Sequence, residues 1–184
     1  MSEIPEFAQG SRLLEEAYEL ADDSHSGVRR RNDTDIDHPA AVGELLHERG
    51  YDNEVVASAF LHDVLEDTDT PLSEIIERFG PRVGDLVSGM TEDPSIESYE
   101  QRKAEHRARV THHSPRTAAI YAADKLAKAR ALGEGRGSVS DAQLHHYWQT
   151  LYELREAYPD LPFLDELEAG LRSVDARRAH AARQ

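Results

Sequence analysis

Residues 55–69 read VVASAFLHDVLEDTD. The stretch begins as an apolar run, Val55 to Leu61, of the kind that fills the middle of a helical core. It then turns ionisable, with His62, Asp63, Glu66, Asp67 and Asp69 in quick succession. On one continuous helix, residues three and four apart share a face. His62 then stacks with Glu66 and Asp63 with Asp67, all within an arc of roughly 140° at about 100° per residue. Acids near a helix C-terminus are mildly unfavourable. Burying several together costs free energy unless a cation compensates them. A divalent metal is the simplest compensation, and a solvated acidic helix end is the plain alternative.

Working outward, the chain reads as helices joined by short turns. Residues 6–23 carry Phe7, Leu13, Leu14, Ala17 and Leu20 at helical spacing, and 24–37 is a polar loop. Pro39 suits the first turn of a helix that stops at Gly50. Asn53 is a candidate cap for the next helix, which runs to about Asp67. Thr70-Pro71 starts another that ends near Gly80, and Pro81 opens one to Met90. Residues 97–111 are amphipathic. Ser114-Pro115 starts the Ala-rich TAAIYAADKLAKARAL, GEGRGS is a loop, and Ser140 caps a helix holding Leu144, Tyr147, Trp148 and Leu151. Residues 163–182 form a last, very polar helix expected to fray. Strand-like alternation is nowhere sustained, so the expected fold class is all-α, with about eight to nine helices.

The 184 residues suit one compact domain, and the expectation is a single domain over 1–184 with 163–184 as a polar C-terminal helix or tail. Hydrophobic residues at 39% are too many for a disordered chain, and no apolar run reaches the roughly 18 residues of a membrane span. The N-terminal MSEIPEF lacks the basic and apolar regions of a signal peptide. A cytoplasmic location is therefore expected. A net charge of −15 argues against binding a nucleic-acid backbone. Cysteine is absent, so any metal must be held by His and carboxylates.

His38 precedes Pro39 at the mouth of a helix, and Asp124 is the only acid between Ser114 and Leu132. Taken alone, His-Pro reads as a turn, and Asp124 as an ion-pair partner of Lys128 at i+4. With His62 and Asp63 they make two imidazoles and two carboxylates. That set suits Mn²⁺ or Fe²⁺, with Zn²⁺ as an alternative. A metal so held lowers the pKa of bound water and polarises a phosphoryl oxygen.

The HP at 38–39, AFLHDVLEDTDTPLSEIIERFGPRVGDLVSGMTED at 59–93 and AADKLAKAR at 122–130 occur in an order that resembles the hydrolase domain of the RelA/SpoT family. That domain lies within the HD metal-dependent phosphohydrolases, and stand-alone small (p)ppGpp hydrolases are nearest in size. The resemblance covers roughly residues 8–155. It implies an HD-type helical bundle and one Mn²⁺ on His38, His62, Asp63 and Asp124. It implies that Glu66 and Asp67 flank the metal and orient or deprotonate the attacking water. It also implies a basic pair upstream of the HP histidine on the substrate phosphates, for which VRRRNDTDIDHP offers Arg30 and Arg31. Tyr147 aligns with a family tyrosine near the nucleotide. The implied ligand is a small nucleotide, with (p)ppGpp cut at its 3′-pyrophosphate, and self-association stays open.

The chain also departs from the family pattern. Lys128 stands where LADxxxN has its Asn, Ala127 replaces a larger residue, Gln143 stands where the animal enzyme has Arg, and GxPYIxHP has become DTDIDHP. The metal and water residues are intact while the nucleoside side is altered. That keeps two alternatives open. One is another nucleotide substrate, such as the 2′-phosphate of NADPH or a nucleoside monophosphate. The other is a catalytically weak nucleotide or metal sensor. Arg102, Lys103, Arg107 and Arg109 form a second basic stretch, read as a solvated helix face rather than a pyrophosphate clamp.

Overall fold

The computed structural model describes residues 2–25 and 36–183, and every regular element among them is helical. Among the described residues, ten α-helices follow a short 3₁₀ turn at Glu6–Ala8. They form two compact units, Met1–Glu92 and Asp93–Gln184. The first holds α1 (Arg12–His25), α2 (Asp37–Glu48), α3 (Asn53–Leu61), α4 (Val64–Asp67), α5 (Leu72–Phe79) and α6 (Pro81–Met90). The second holds α7 (Tyr99–His113), α8 (Pro115–Gly133), α9 (Asp141–Ala157) and α10 (Leu164–Ala181).

Helix α3 is the centre of the first unit, with α1, α2 and α6 packed on it. Every residue from Val55 to Leu61 is buried, which is why the sequence is apolar all round rather than striped. Phe60 meets Tyr18 edge-on at 5.5 Å and Phe7 at 6.0 Å between ring centroids. Its ring lies so close to Gly43 that a Cβ there would collide with it. The start of α3 is fixed by Asp52, whose side chain accepts the Val55 N–H at 3.2 Å. Asn53, the expected cap, is instead the first helical residue and donates to Ser11 Oγ.

The expected helix over 53–67 is two helices. Its break falls at His62-Asp63. In an unbroken helix the Ala59 carbonyl would receive the Asp63 N–H. Here it accepts a hydrogen bond from the His62 imidazole Nδ1 at 2.7 Å. A side chain competing for that carbonyl loosens the turn, and the chain restarts as the four-residue α4. Both junction residues keep right-handed helical dihedrals, His62 at φ −60° and ψ −31° and Asp63 at φ −95° and ψ −8°, so the interruption is slight.

Helix α8 is the centre of the second unit, with α7, α9 and α10 around it. Ser114 caps it by accepting the Thr117 N–H, with Pro115 at its first position. Its alanines let neighbours approach closely, and at Gly170 of α10 an added Cβ would lie 3.1 Å from the Ala129 Cβ. Ser140 and Gln143 form a capping box at the start of α9. Helix α10, the expected polar C-terminal helix, buries Leu164, Leu167, Leu171 and Val174 on one face. That stripe is ample to hold an otherwise polar helix in place.

Candidate functional site

The first unit carries His38, His62, Asp63, Glu66 and Asp67 on three short pieces of chain. His38 lies in the first turn of α2, half-buried. His62 ends α3 and is 2% exposed, and the two imidazoles meet edge-on at 5.6 Å. Because a carbonyl can only accept, the His62–Ala59 contact places the His62 proton on Nδ1. Nε2 is then the atom left to bind a metal, and the carbonyl fixes the ring's orientation. That Nε2 stands 3.2 Å from Asp63 Oδ1. With the proton on Nδ1, Nε2 and the carboxylate oxygen are two donor atoms side by side, which a shared cation stabilises. The donor set therefore fits a divalent metal.

Glu66 is exposed, and its Oε1 accepts the backbone N–H of Glu92 at 2.7 Å. This ties α4 to the end of the segment after α6. Thr68 closes the turn, donating its one hydroxyl proton to the Val64 carbonyl at 2.7 Å, with Thr70 Oγ1 2.9 Å from the same oxygen. Asp67 is half-buried.

The second unit carries Asp124 in the middle of α8, 2% exposed. Its carboxylate holds two ammonium groups: Lys125 on Oδ2 at 2.5 Å and Lys128 on Oδ1 at 2.9 Å. The i+4 partner anticipated for Asp124 is therefore present, and a second one with it. Lys125 is itself buried, with its Nζ 4.5 Å from the Tyr121 ring centroid and 5.7 Å from that of Tyr147. Burial acts most strongly on Lys125 and pulls its pKa down. The Asp124 charge and the two tyrosines oppose this, Lys128 adds to it, and the net shift is upward, so the ammonium stays charged. Behind Lys125, the Tyr121 hydroxyl lies 3.4 Å from His146 Nε2. Arg107 donates to His146 Nδ1 at 2.9 Å and to Glu153 at 2.8 Å.

His38, His62 and Asp124 each offer a group of metal-ligating type. Tyr147 is half-buried beside Lys125. Arg30 and Arg31 lie outside the described residues. In the second basic stretch, Arg102 donates to the Ile96 carbonyl at 2.8 Å, Arg107 to Glu153, and Arg109 to Glu105 at 2.9 Å. Those arginines pair within the fold, and Arg107, at 12% exposure, is not on a solvated face. The sequence reading missed Lys125 and its aromatic setting. Its signal was a lysine inside an otherwise apolar run, one turn after Tyr121, where charge survives only if paired.

The chain belongs to the HD-domain family, which it matches over residues 17–153, a span that includes parts of both units. Within that family its relatives are of the RelA/SpoT type that its motifs resemble. A protein of Aquifex aeolicus named guanosine-3′,5′-bis(diphosphate) 3′-pyrophosphohydrolase is 36% identical over 133 residues, which is 70% of this chain and 19% of that protein. The mouse protein named guanosine-3′,5′-bis(diphosphate) 3′-pyrophosphohydrolase MESH1 is 37% identical over 130 residues, 68% of this chain and 72% of the mouse protein. Among solved structures, a metazoan orthologue of SpoT described as hydrolysing ppGpp matches with a TM-score of 0.71 at 27% identity. That match covers 91% of this chain and 96% of the other. The chain thus spans only a small part of the Aquifex protein but most of the metazoan ones. Among the described residues, no helix is long and apolar enough to cross a membrane.

Proposed function

We propose that this protein is a metal-dependent phosphohydrolase that removes the 3′-pyrophosphate of (p)ppGpp, giving GDP or GTP and pyrophosphate. The observation that carries the reading is His62. Its ring is oriented by the Ala59 carbonyl so that Nε2 and Asp63 Oδ1 converge, in a chain whose relatives are named for this reaction. His38, His62, Asp63 and Asp124 are the proposed ligands of one divalent ion, with Mn²⁺ as the first choice and Fe²⁺ or Zn²⁺ as substitutes. When bound, the ion supplies a Lewis acid and a water of lowered pKa.

The remaining roles fall to side chains. Glu66 and Asp67 orient the attacking water and take its proton. The water oxygen bonds to the phosphorus attached to the 3′-oxygen, that phosphorus–oxygen bond breaks, and the 3′-oxygen leaves with a proton. Arg30 and Arg31 hold the departing pyrophosphate, for which the planar guanidinium is well matched. Tyr147 and Lys128 lie on the nucleotide side. The same reading puts the enzyme in the cytoplasm, where such nucleotides are made and used.

A specific observation favours a second reading. Lys128 replaces the family Asn and is ion-paired with Asp124, so the nucleoside side is rebuilt. The same chemistry on another phosphorylated nucleotide is the alternative. Purified protein with Mn²⁺ should release pyrophosphate from ppGpp, lose this on chelation, and lose it in Asp63→Ala. Release of phosphate from NADPH or a monophosphate in place of ppGpp turnover would select the second reading. Full activity in Asp63→Ala would remove the mechanism altogether, and binding without turnover at every Mn²⁺ level would leave a sensor.

A further inference from the structure

The chain has three lysines, at 103, 125 and 128. Two of them converge on a single buried carboxylate, one on each oxygen of Asp124. Their settings differ. The Lys125 side chain is 7% exposed and its ammonium lies against the rings of Tyr121 and Tyr147. The Lys128 side chain is 29% exposed, one turn further along α8, on a flexible four-carbon stem.

We propose that Lys128 is a metal-displaced latch. It occupies Asp124 Oδ1 until a divalent cation takes that oxygen, and it then turns to an anionic phosphate group of the substrate. The proposal rests on the reading of Asp124 as a metal ligand. A divalent ion bound to a carboxylate oxygen sits about 2.0–2.2 Å from it. An ammonium 2.9 Å from the same oxygen would then be only a few ångströms from two positive charges. Such repulsion is strong where water is partly excluded. Lys125 is caged by its rings, so the exposed partner is the one that yields. Its charge remains beside the site and is best satisfied by phosphate oxygens.

Two consequences follow. Lys128 weakens metal binding, because the ion must displace it. Metal binding also prepares the protein for an anion, so metal and phosphate bind with positive coupling. The Asn usual at this position in the family carries no charge and imposes neither effect.

Calorimetric titration of metal-stripped protein with Mn²⁺ tests the first consequence. Lys128→Asn should bind Mn²⁺ at least about tenfold more tightly than wild type, about 1.4 kcal/mol. Lys128→Arg, which keeps the charge, should stay near wild type. The second consequence is read on the wild-type chain, so no variant need fold. Brief acetylation followed by peptide mass spectrometry reports all three lysines. Lys128 labelling should rise with Mn²⁺ and fall again when inorganic phosphate is added, while Lys103 stays constant and Lys125 stays protected. Equal Mn²⁺ affinity in wild type and Lys128→Asn, or Lys128 labelling indifferent to Mn²⁺ that does bind, would overturn the latch alone. Wild type that binds no Mn²⁺, or Asp124→Asn that binds it as well as wild type, would overturn the ligand reading of Asp124 and the latch with it.

Discussion

Helix α3 stops where its ionisable residues begin, whereas α8 runs straight through its own. Both are central helices of their units. In α3 the His62 imidazole takes the Ala59 carbonyl, the helix breaks, and the carboxylates that follow are carried on a separate turn. The result brings lone pairs together: Nε2 of His62 beside Oδ1 of Asp63. In α8 the carboxylate of Asp124 is met within the same helix by two ammonium groups, at positions i+1 and i+4. Nothing has to break, because the charge is balanced locally. A helix can thus carry buried ionisable groups either by ending and leaving them for an external cation, or by supplying the cation itself. The first arrangement suits an external cation, and the second balances its carboxylate from within the helix.

The largest effect should come from making α3 resemble α8. His62→Leu removes the imidazole that donates to the Ala59 carbonyl, and helical circular dichroism should be kept. On the proposed metal reading, turnover should fall by more than the roughly 10–100-fold that losing a partner of a metal ligand costs, because His62 is then a ligand itself. Retained turnover in that variant would show that the break has nothing to do with activity.

The reverse operation on α8 is Lys125→Met. Removing one partner of a buried ion pair costs roughly 3–5 kcal/mol. Lys128 still contacts Asp124, so the loss should lie toward the low end of that range, read from the urea midpoint. The Asp124→Asn, Lys125→Met double variant should recover part of it, since residues in contact are not additive. Strict additivity would mean that the Asp124 charge is not what Lys125 serves.

The same two helices show what was legible. The apolar run 55–61 and the Ala-rich run after Ser114 both declare central helices by composition alone, and Ser114, Pro115 and Ser140 mark starts that the structure keeps. The His62-Asp63 break was not legible. It depends on which acceptor an imidazole finds in three dimensions, and periodicity through 53–67 reads on undisturbed. The second ammonium on Asp124 was equally hidden, because an i,i+1 pair does not ordinarily share a helix face. The exchange of Asn53 for Asp52 as cap was a matter of one residue, and both are good cap formers. Arg30 and Arg31, the proposed phosphate contacts, fall outside the described residues, and their assignment still rests on sequence alone.

Helix α10, expected over 163–182, carries a core-facing pattern that its polar composition masks. Leu164, Leu167, Leu171 and Val174 recur at intervals of three and four, which is a core-facing stripe. The many charged residues between them suggested fraying, but they occupy the other face. Leu171 is fully buried, and α10 packs on α8, the helix that carries Asp124. Leu171→Ala should therefore cost about 2 kcal/mol, toward the low end for a buried leucine whose surroundings can partly relax. Arg172→Ala, one residue on, should cost almost nothing, because its partner Glu168 also holds Arg155 and exposed pairs contribute little. Matched urea titrations separate the two. If both variants unfold like wild type, α10 is dispensable to the second unit and frays as its composition suggested. If only Leu171→Ala is weakened, α10 is one wall of the packing that keeps α8, and with it Asp124, in place.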